Sequence, residues 1–333
     1  MNSTVFYPEF PARSALPGLV SASSQGEQRE KLLALLGYLE GTGYDFVAPT
    51  PATHHRVVSR PDRKLAGSIT DILGWSLPAA RGCLCPVLER ELLAASVLVE
   101  RGDGLLQPRL RVSRVENRLF WHSAYPTEAQ DSVFLGPDSS RFAQLILAQM
   151  PPAPTSILDY GAGAGVGGII AAQNAPGAML TIADINPRAL FLASVNAEHA
   201  GVAHRLMEAA IPDELPGPFD LIVTHPPFLI DGARRTYRDG GALHGGQLSL
   251  DWAIACAARL TPAGRFIMHT GAAIVAGADV LLDALCSRLP PSDFALAYRE
   301  LDPDIFGDEL DNPGYHDVDR IAAIGAVIDR VRA

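Results

Sequence analysis

Cysteine is scarce in this 333-residue chain, with only Cys83, Cys85, Cys256 and Cys286. Thiols so few and so scattered build no disulfide framework, and Cys83-Leu-Cys85 lacks the second pair that a tetrahedral zinc site needs. Long apolar runs are missing too. Nothing approaches the ~20 residues that cross a bilayer. The start, Met1-Asn-Ser-Thr-Val-Phe-Tyr-Pro8, has neither the basic nor the apolar region of a secretion signal. Positive charge is in deficit, with 27 Lys and Arg against 37 Asp and Glu, a net −10. That balance points away from a general nucleic-acid binder and leaves room only for a local basic face. The expectation is a cytoplasmic protein with reduced thiols, no metal, no membrane partner and no nucleic-acid partner.

What is present is 48% apolar residues, enough for sizeable cores, in a length that suggests two domains. The most informative stretch is Ser156-Ile-Leu-Asp-Tyr-Gly-Ala-Gly-Ala-Gly-Val-Gly-Gly-Ile-Ile170. Ile157 and Leu158 read as the end of a short buried strand. Gly161, Gly163 and Gly165 make a turn with no side chains in the way, and Val166 to Gln173 is apolar enough for the helix that follows. Such a turn presents backbone N–H groups and a positive dipole end to a ligand. A dinucleotide site would read G-x-G-x-x-G, but Val166 holds the place of the third glycine. Here Asp159 stands two residues before the first glycine. A second acidic strand end, Thr181-Ile-Ala-Asp184, follows a little over twenty residues on. A carboxylate there can accept hydrogen bonds from both hydroxyls of a ribose.

The chain before this motif divides by period. Residues 1–26, rich in Pro, Ser and Gly, predict an extended arm. Helical spacing runs through Leu32, Leu35, Leu36 and Leu39, then again over 64–73 and 86–96. His54 and His55, being adjacent, point apart and read as solvated or capping residues. Leu105 to Val115 then alternates, Glu116-Asn117 turns, and Leu119 to His122 returns as a second strand. Residues 27–125 thus look like a helical, winged-helix-like substrate domain. Arg109, Arg111, Arg114 and Arg118 would face outward on its ribbon, the one foothold for nucleic acid. Residues 126–333 form the second domain, with Asp131 and Phe134 in a connector that could line a ligand. From 156 onward strands (156–160, 179–183, 203–207, 219–224, 264–270, 294–301, 320–329) alternate with helices (165–174, 187–200, 247–260, 275–288). That is the signature of an α/β fold with helices on both faces of a parallel sheet.

The fourth of these strands ends in Phe219-Asp-Leu-Ile-Val-Thr-His-Pro-Pro-Phe228. The stretch from Asp159 to Asp184 resembles motif I and the acidic loop of class I S-adenosylmethionine (SAM) methyltransferases. The run His225-Pro226-Pro227-Phe228 resembles the N-P-P-Y/F motif of amino-group methyltransferases, which include adenine and release-factor glutamine enzymes. The resemblance implies a Rossmann-like seven-stranded sheet with its last strand antiparallel, and SAM as cofactor. It implies cofactor contacts at Asp159, Tyr160, Gly161, Gly163, Gly165, Asp184, Ile185 and Asn186, with Glu208 in place of the acidic residue near the adenine. It places His225, Pro226 and Phe228 at the methyl acceptor. Pro227, Tyr237 and Arg238 after the motif, and Phe306 and Tyr315 in the acidic stretch Leu301–His316, are the expected substrate contacts.

One departure carries chemistry. In the family the Asn oxygen and the first Pro carbonyl accept hydrogen bonds from the amine, and here the Asn position is His225. Neutral imidazole can accept such a bond, and with an unperturbed pKa of ~6.5 it can also take a proton. The expected acceptor is therefore an amino or amide nitrogen, or a hydroxyl, of a small molecule or protein side chain. Other SAM chemistry (cyclisation or aminocarboxypropyl transfer), a nucleic-acid methyltransferase and a non-catalytic module with the same fold stay open.

Overall fold

The computed structural model describes residues 22–331. The arm expected over 1–26 falls mostly outside them, and from Ala22 the chain is already helical. Four helices come first: α1 (Ala22–Gly41), α2 (Pro51–Val58), α3 (Ile69–Leu73) and α4 (Pro86–Ala94). Local chemistry sets their starts. Thr50 accepts from the Thr53 N–H with Pro51 at the first position of α2, and Ser68 caps α3 through the Asp71 N–H. Two antiparallel ribbons follow, β1 (Leu98–Glu100) with β2 (Leu106–Pro108), and β3 (Leu110–Val115) with β4 (Arg118–Ser123).

The ribbon β3–β4 does not offer the open basic face that alternation suggested. Nearly every residue of both strands is buried. Arg111 is 3% exposed, its guanidinium donating to His122 Nδ1 (3.4 Å) and His54 Nδ1 (3.3 Å). Arg114 pairs with Asp45, and Arg118 donates to Gln173. His54 is likewise buried rather than solvated, its Nε2 2.8 Å from the Trp75 carbonyl. Burial and the Arg111 charge push His54 down to about 4, so it stays neutral as the arginine's acceptor. The physical reason for the difference is long-range packing: α3 and α5 (Pro137–Gln149) pack on β3, α7 (Pro187–His199) packs on β4, and His54 of α2 reaches Arg111.

After α5 (Pro137–Gln149) comes the alternating part. It contains β5 (Ser156–Tyr160), α6 (Val166–Gln173), β6 (Met179–Asp184), α7 (Pro187–His199), β7 (His204–Glu208), β8 (Phe219–Thr224), α8 (Gln247–Ala257), β9 (Leu260–Val275), the short β10 (Ala278–Asp279), α9 (Val280–Arg288), β11 (Phe294–Asp302) and β12 (Arg320–Arg330). The strand order is β11-β12-β9-β8-β5-β6-β7, with β10 hairpinned onto β9. Strands β7, β6, β5, β8 and β9 run parallel, while β12 is antiparallel to both neighbours. This is the seven-stranded sheet with a reversed last strand that the resemblance implied. Strand β5 has β6 on one side and β8 on the other, so the chain switches direction there. Ligands of open α/β sheets collect at that crevice, beyond the carboxyl ends of the strands.

The two halves share a core. Leu32, Leu36 and Leu39 of α1 and Trp121 of β4 belong to one continuous apolar cluster with Ile169, Leu192 and Val195. Trp121 Nε1 donates to the Leu32 carbonyl, and Asn196 of α7 bridges the Trp121 backbone and the Ala164 carbonyl. The N-terminal helices are thereby fixed against the rim of the crevice.

Candidate active site

At the carboxyl end of β5 the chain turns through Gly161 (φ +65°) and Gly163 (φ +55°) before α6 begins. A Cβ on Gly161 would meet the Trp252 ring at 2.5 Å, so only glycine lets α8 press its indole against the turn. A Cβ on Gly163 would meet nothing within 4 Å, so its bare backbone faces open space. Asp184, at the end of β6, clamps the turn: its carboxylate accepts from Gly163 N–H (2.9 Å) and Asn186 N–H (2.8 Å). Each of its oxygens keeps a lone pair for a further donor. Burial raises the Asp184 carboxyl despite these hydrogen bonds. Asp159, 1% exposed, accepts from Gly168 N–H at 2.7 Å, and burial lifts its carboxyl to about 7.

A cleft open to solvent lies over this turn. Of the residues expected there, Asp159, Tyr160, Gly161, Gly163, Asp184, Ile185 and Asn186 line one end. His225, Pro226, Pro227, Phe228, Tyr237, Arg238 and Phe306 line the other. Phe134 lines it as well, whereas Asp131 does not: it anchors the neighbouring loop through Arg188 and through its carbonyl to Asn186.

Three expected residues lie off the cleft wall. Gly165 caps α6 at φ +81°, closing the turn with its N–H on the Ala162 carbonyl. Glu208 ends β7 exposed, and Ala209 and Ala210 take its place in the lining. Tyr315 is buried, and its hydroxyl accepts from Ile230 N–H (2.7 Å), so it supports the wall from behind.

His225 is held differently from what its sequence position suggested. Its Nδ1 lies 2.8 Å from the His269 carbonyl and its Nε2 3.2 Å from Asp138 Oδ2. A carbonyl only accepts, so Nδ1 donates to it. Burial would raise the Asp138 carboxyl, but the hydrogen bond and charge of His225 outweigh it and hold it below the usual carboxylate range. Both ring nitrogens are thus turned toward protein acceptors. His225 is thereby held by its own neighbours. It enters the cleft as a ring stacked on Phe228 (centroids 5.8 Å) and packed against Phe142. The Pro226 carbonyl receives no hydrogen bond from the described residues and is the acceptor left at this end.

Pro51, Ser132, Asp138, Ser139, Phe142, Thr236 and Trp252 also line the cleft without having been expected. Asp138 had a local signal, the Gly136-Pro137-Asp138-Ser139 start of a helix, but nothing local pointed it at His225. The loop after Phe228 is pinned on both flanks. Tyr237 donates to the Thr127 carbonyl (2.6 Å), Arg235 grips Asp231, and Arg238 pairs with Glu309 (2.5 Å).

A glycine turn and an acidic strand end at the switch point of this sheet, with a Pro-Pro-Phe strand end in the same cleft, define a class I methyltransferase fold. Comparison with known proteins agrees, for residues 129–238 match the family model of the methyltransferase small domain. That match covers 110 of the 333 residues. It is 37% identical over 91 residues to the release factor glutamine methyltransferase of Chlorobaculum tepidum, covering 25% of this chain and 31% of that protein. With ribosomal RNA small subunit methyltransferase C of Aeromonas hydrophila the figures are 31% over 117 residues, 32% and 34%. With the tRNA1(Val) (adenine(37)-N6)-methyltransferase of Pedobacter heparinus they are 37% over 93 residues, 27% and 40%. The chain thus spans about a third of the length of these relatives. Two of them are named for RNA substrates, which overturns the expectation that nucleic acid is no partner. Net charge is an average over the whole chain and does not register a local face. No helix among the described residues is long and apolar enough to cross a membrane.

Proposed function

We propose that this protein methylates the nitrogen of a planar amino group on a nucleic-acid base. The observation that carries the reading is the placement of Pro226 and Phe228, at the end of β8, in one cleft with the Gly161–Gly163 turn and Asp184. Bound there, SAM supplies a sulfonium methyl whose leaving group needs no activation, so the chain's own work is positioning and water exclusion. Asp184 holds the ribose hydroxyls, the bare backbone at Gly163 allows close approach, and Asp159 faces the amino-acid end. The free Pro226 carbonyl accepts one N–H of the acceptor and aims the nitrogen lone pair. Phe228 and Phe306, with ring centroids 5.8 Å apart, offer apolar faces to a flat ring. Transfer of that methyl to the nitrogen would leave one N–H proton to be shed to water at the cleft mouth. With both His225 ring nitrogens turned toward protein acceptors, the described residues leave no free imidazole beside that ring, which favours a nitrogen over a hydroxyl.

The relatives named for rRNA and for adenine N6 of tRNA support a base as acceptor. The release factor relative supports a second reading, a glutamine side-chain amide, which is also planar and carries N–H groups. Incubating the protein with methyl-tritiated SAM and total RNA or total protein separates them. Label recovered in an N-methyl nucleoside after digestion is the expected result. Label only in protein would install the amide reading, and SAM binding without transfer to either pool would sink both.

A further inference from the structure

Most cations among the described residues are neutralised. Arg81 lies between Glu89 and Glu100, Arg101 meets Asp103, Arg141 meets Asp302 and Arg265 meets Asp329. Arg56, Arg60, Lys64, Arg109 and Arg234 are exposed, and their side chains make no ion pair or hydrogen bond with any described residue. Two other such arginines, Arg288 and Arg299, sit singly on α9 and β11.

The segments that carry these five are linked to one another and to the cleft wall. Arg56 is on α2, whose first residue Pro51 lines the cleft. Arg60 and Lys64 follow in the turn around Trp75, over which Arg63 lies at 5.5 Å. The Arg109 carbonyl accepts from Ala124 N–H, and the next residue, Tyr125, packs its ring 4.1 Å from that of His54 on α2. Two residues further, the Thr127 carbonyl takes the hydroxyl of Tyr237, a cleft-wall residue three positions after Arg234. The acids in these segments are fewer: Asp62 beside Arg60 and Glu128 beside Tyr125, while Asp231 is already gripped by Arg235. Unpaired cations interleaved with Trp75 and Tyr125, in a chain of net −10, form a face suited to a phosphate backbone with exposed bases.

We propose that this face, from α2 across Tyr125 to Arg234, docks the phosphates of an RNA and so delivers a base to the cleft. The inference rests on the base-acceptor reading above and adds the surface that would select a polynucleotide. The test uses the full chain, labelled bulk tRNA as probe, and fluorescence anisotropy over a salt series. The variant is Arg56→Glu/Arg60→Glu/Lys64→Glu, with SAM affinity by calorimetry as the control for an intact fold. Affinity for tRNA should fall at least tenfold, and the slope of log K against log salt should shrink by about 2, three phosphate contacts at ~0.7 each. Should the triple variant lose SAM binding, Arg109→Glu carries the test with an expected slope change of about 0.7. The proposal is overturned by an unchanged affinity and slope, by a wild-type protein that ignores tRNA, or by equally tight binding of polyglutamate, which would mark an acidic-protein face. Charge-dependent tRNA binding without methyl transfer to RNA would keep this face and remove the base-acceptor reading. Transfer to RNA that survives the triple variant undiminished would do the reverse.

Discussion

Asp159→Asn separates what a buried carboxylate does to stability from what it does for the cofactor. The side chain is 1% exposed and its main hydrogen bond is from Gly168 N–H at 2.7 Å. Burial lifts its carboxyl to about 7, against ~3.9 in an unfolded chain. The folded state therefore holds the proton more tightly than the unfolded one. Stability from this group is fully present below about pH 4 and is lost as pH rises through 7. At 1.36 kcal/mol per pH unit, that loss comes to about 4 kcal/mol between pH 4 and 8. Asparagine keeps a carbonyl oxygen for the Gly168 N–H and has no proton to give up. Urea unfolding of both proteins without cofactor, at pH 5 and pH 8, should show the variant's advantage widening by about 2–3 kcal/mol. Since the ionised form is the one that would meet a cationic amino-acid end, the same variant should bind SAM more weakly at pH 8. A stability difference that stays flat with pH would refute the argument that burial dominates this carboxyl.

Two further outcomes follow from the cleft. Gly161→Ala puts a Cβ 2.5 Å from the Trp252 ring at a φ of +65°. It should cost about 1–3 kcal/mol of stability and at least tenfold in SAM affinity by calorimetry, and Trp252→Ala in the same chain should recover part of the stability. His225→Ala strands the buried Asp138 carboxylate, a loss of about 3–5 kcal/mol at pH 7, whereas His225→Ala with Asp138→Ala should lose less. A double variant that loses the sum of the His225→Ala and Asp138→Ala losses in thermal unfolding would show that the pair is not coupled.

Much of this site was legible because its signals are local. A glycine at 161 and 163 reports a tight turn wherever the chain goes next, and Asp184 after an apolar run reports a strand end. His225-Pro226-Pro227-Phe228 marks another strand end, and the alternation of elements then places all three ends at one sheet edge. The same locality explains what was misread. Strand alternation sent Arg111 outward, and adjacency to His55 made His54 read as solvated, because a local pattern says which residues share a face, not which face is covered. The ribbon is covered by α3 and α5 packing on β3 and by α7 packing on β4.

Glu208 and Tyr315 show a similar limit. Their distance from a motif was readable, but whether the side chain turns into the cleft depends on the backbone of Ala209 and Ala210 and on the loop at Ile230. His225 is the sharpest case. As a residue type it could have been an acceptor or a base, and its place after β8 was plain. Its chemistry was decided by a carboxylate 87 positions earlier and a carbonyl 44 positions later, which together occupy both nitrogens. Local sequence sets turns, strand ends and periods because these depend on neighbouring dihedrals and side chains. Burial, charge pairing and free lone pairs depend on groups that only folding brings together, and in this protein they decide what each residue of the cleft is able to do.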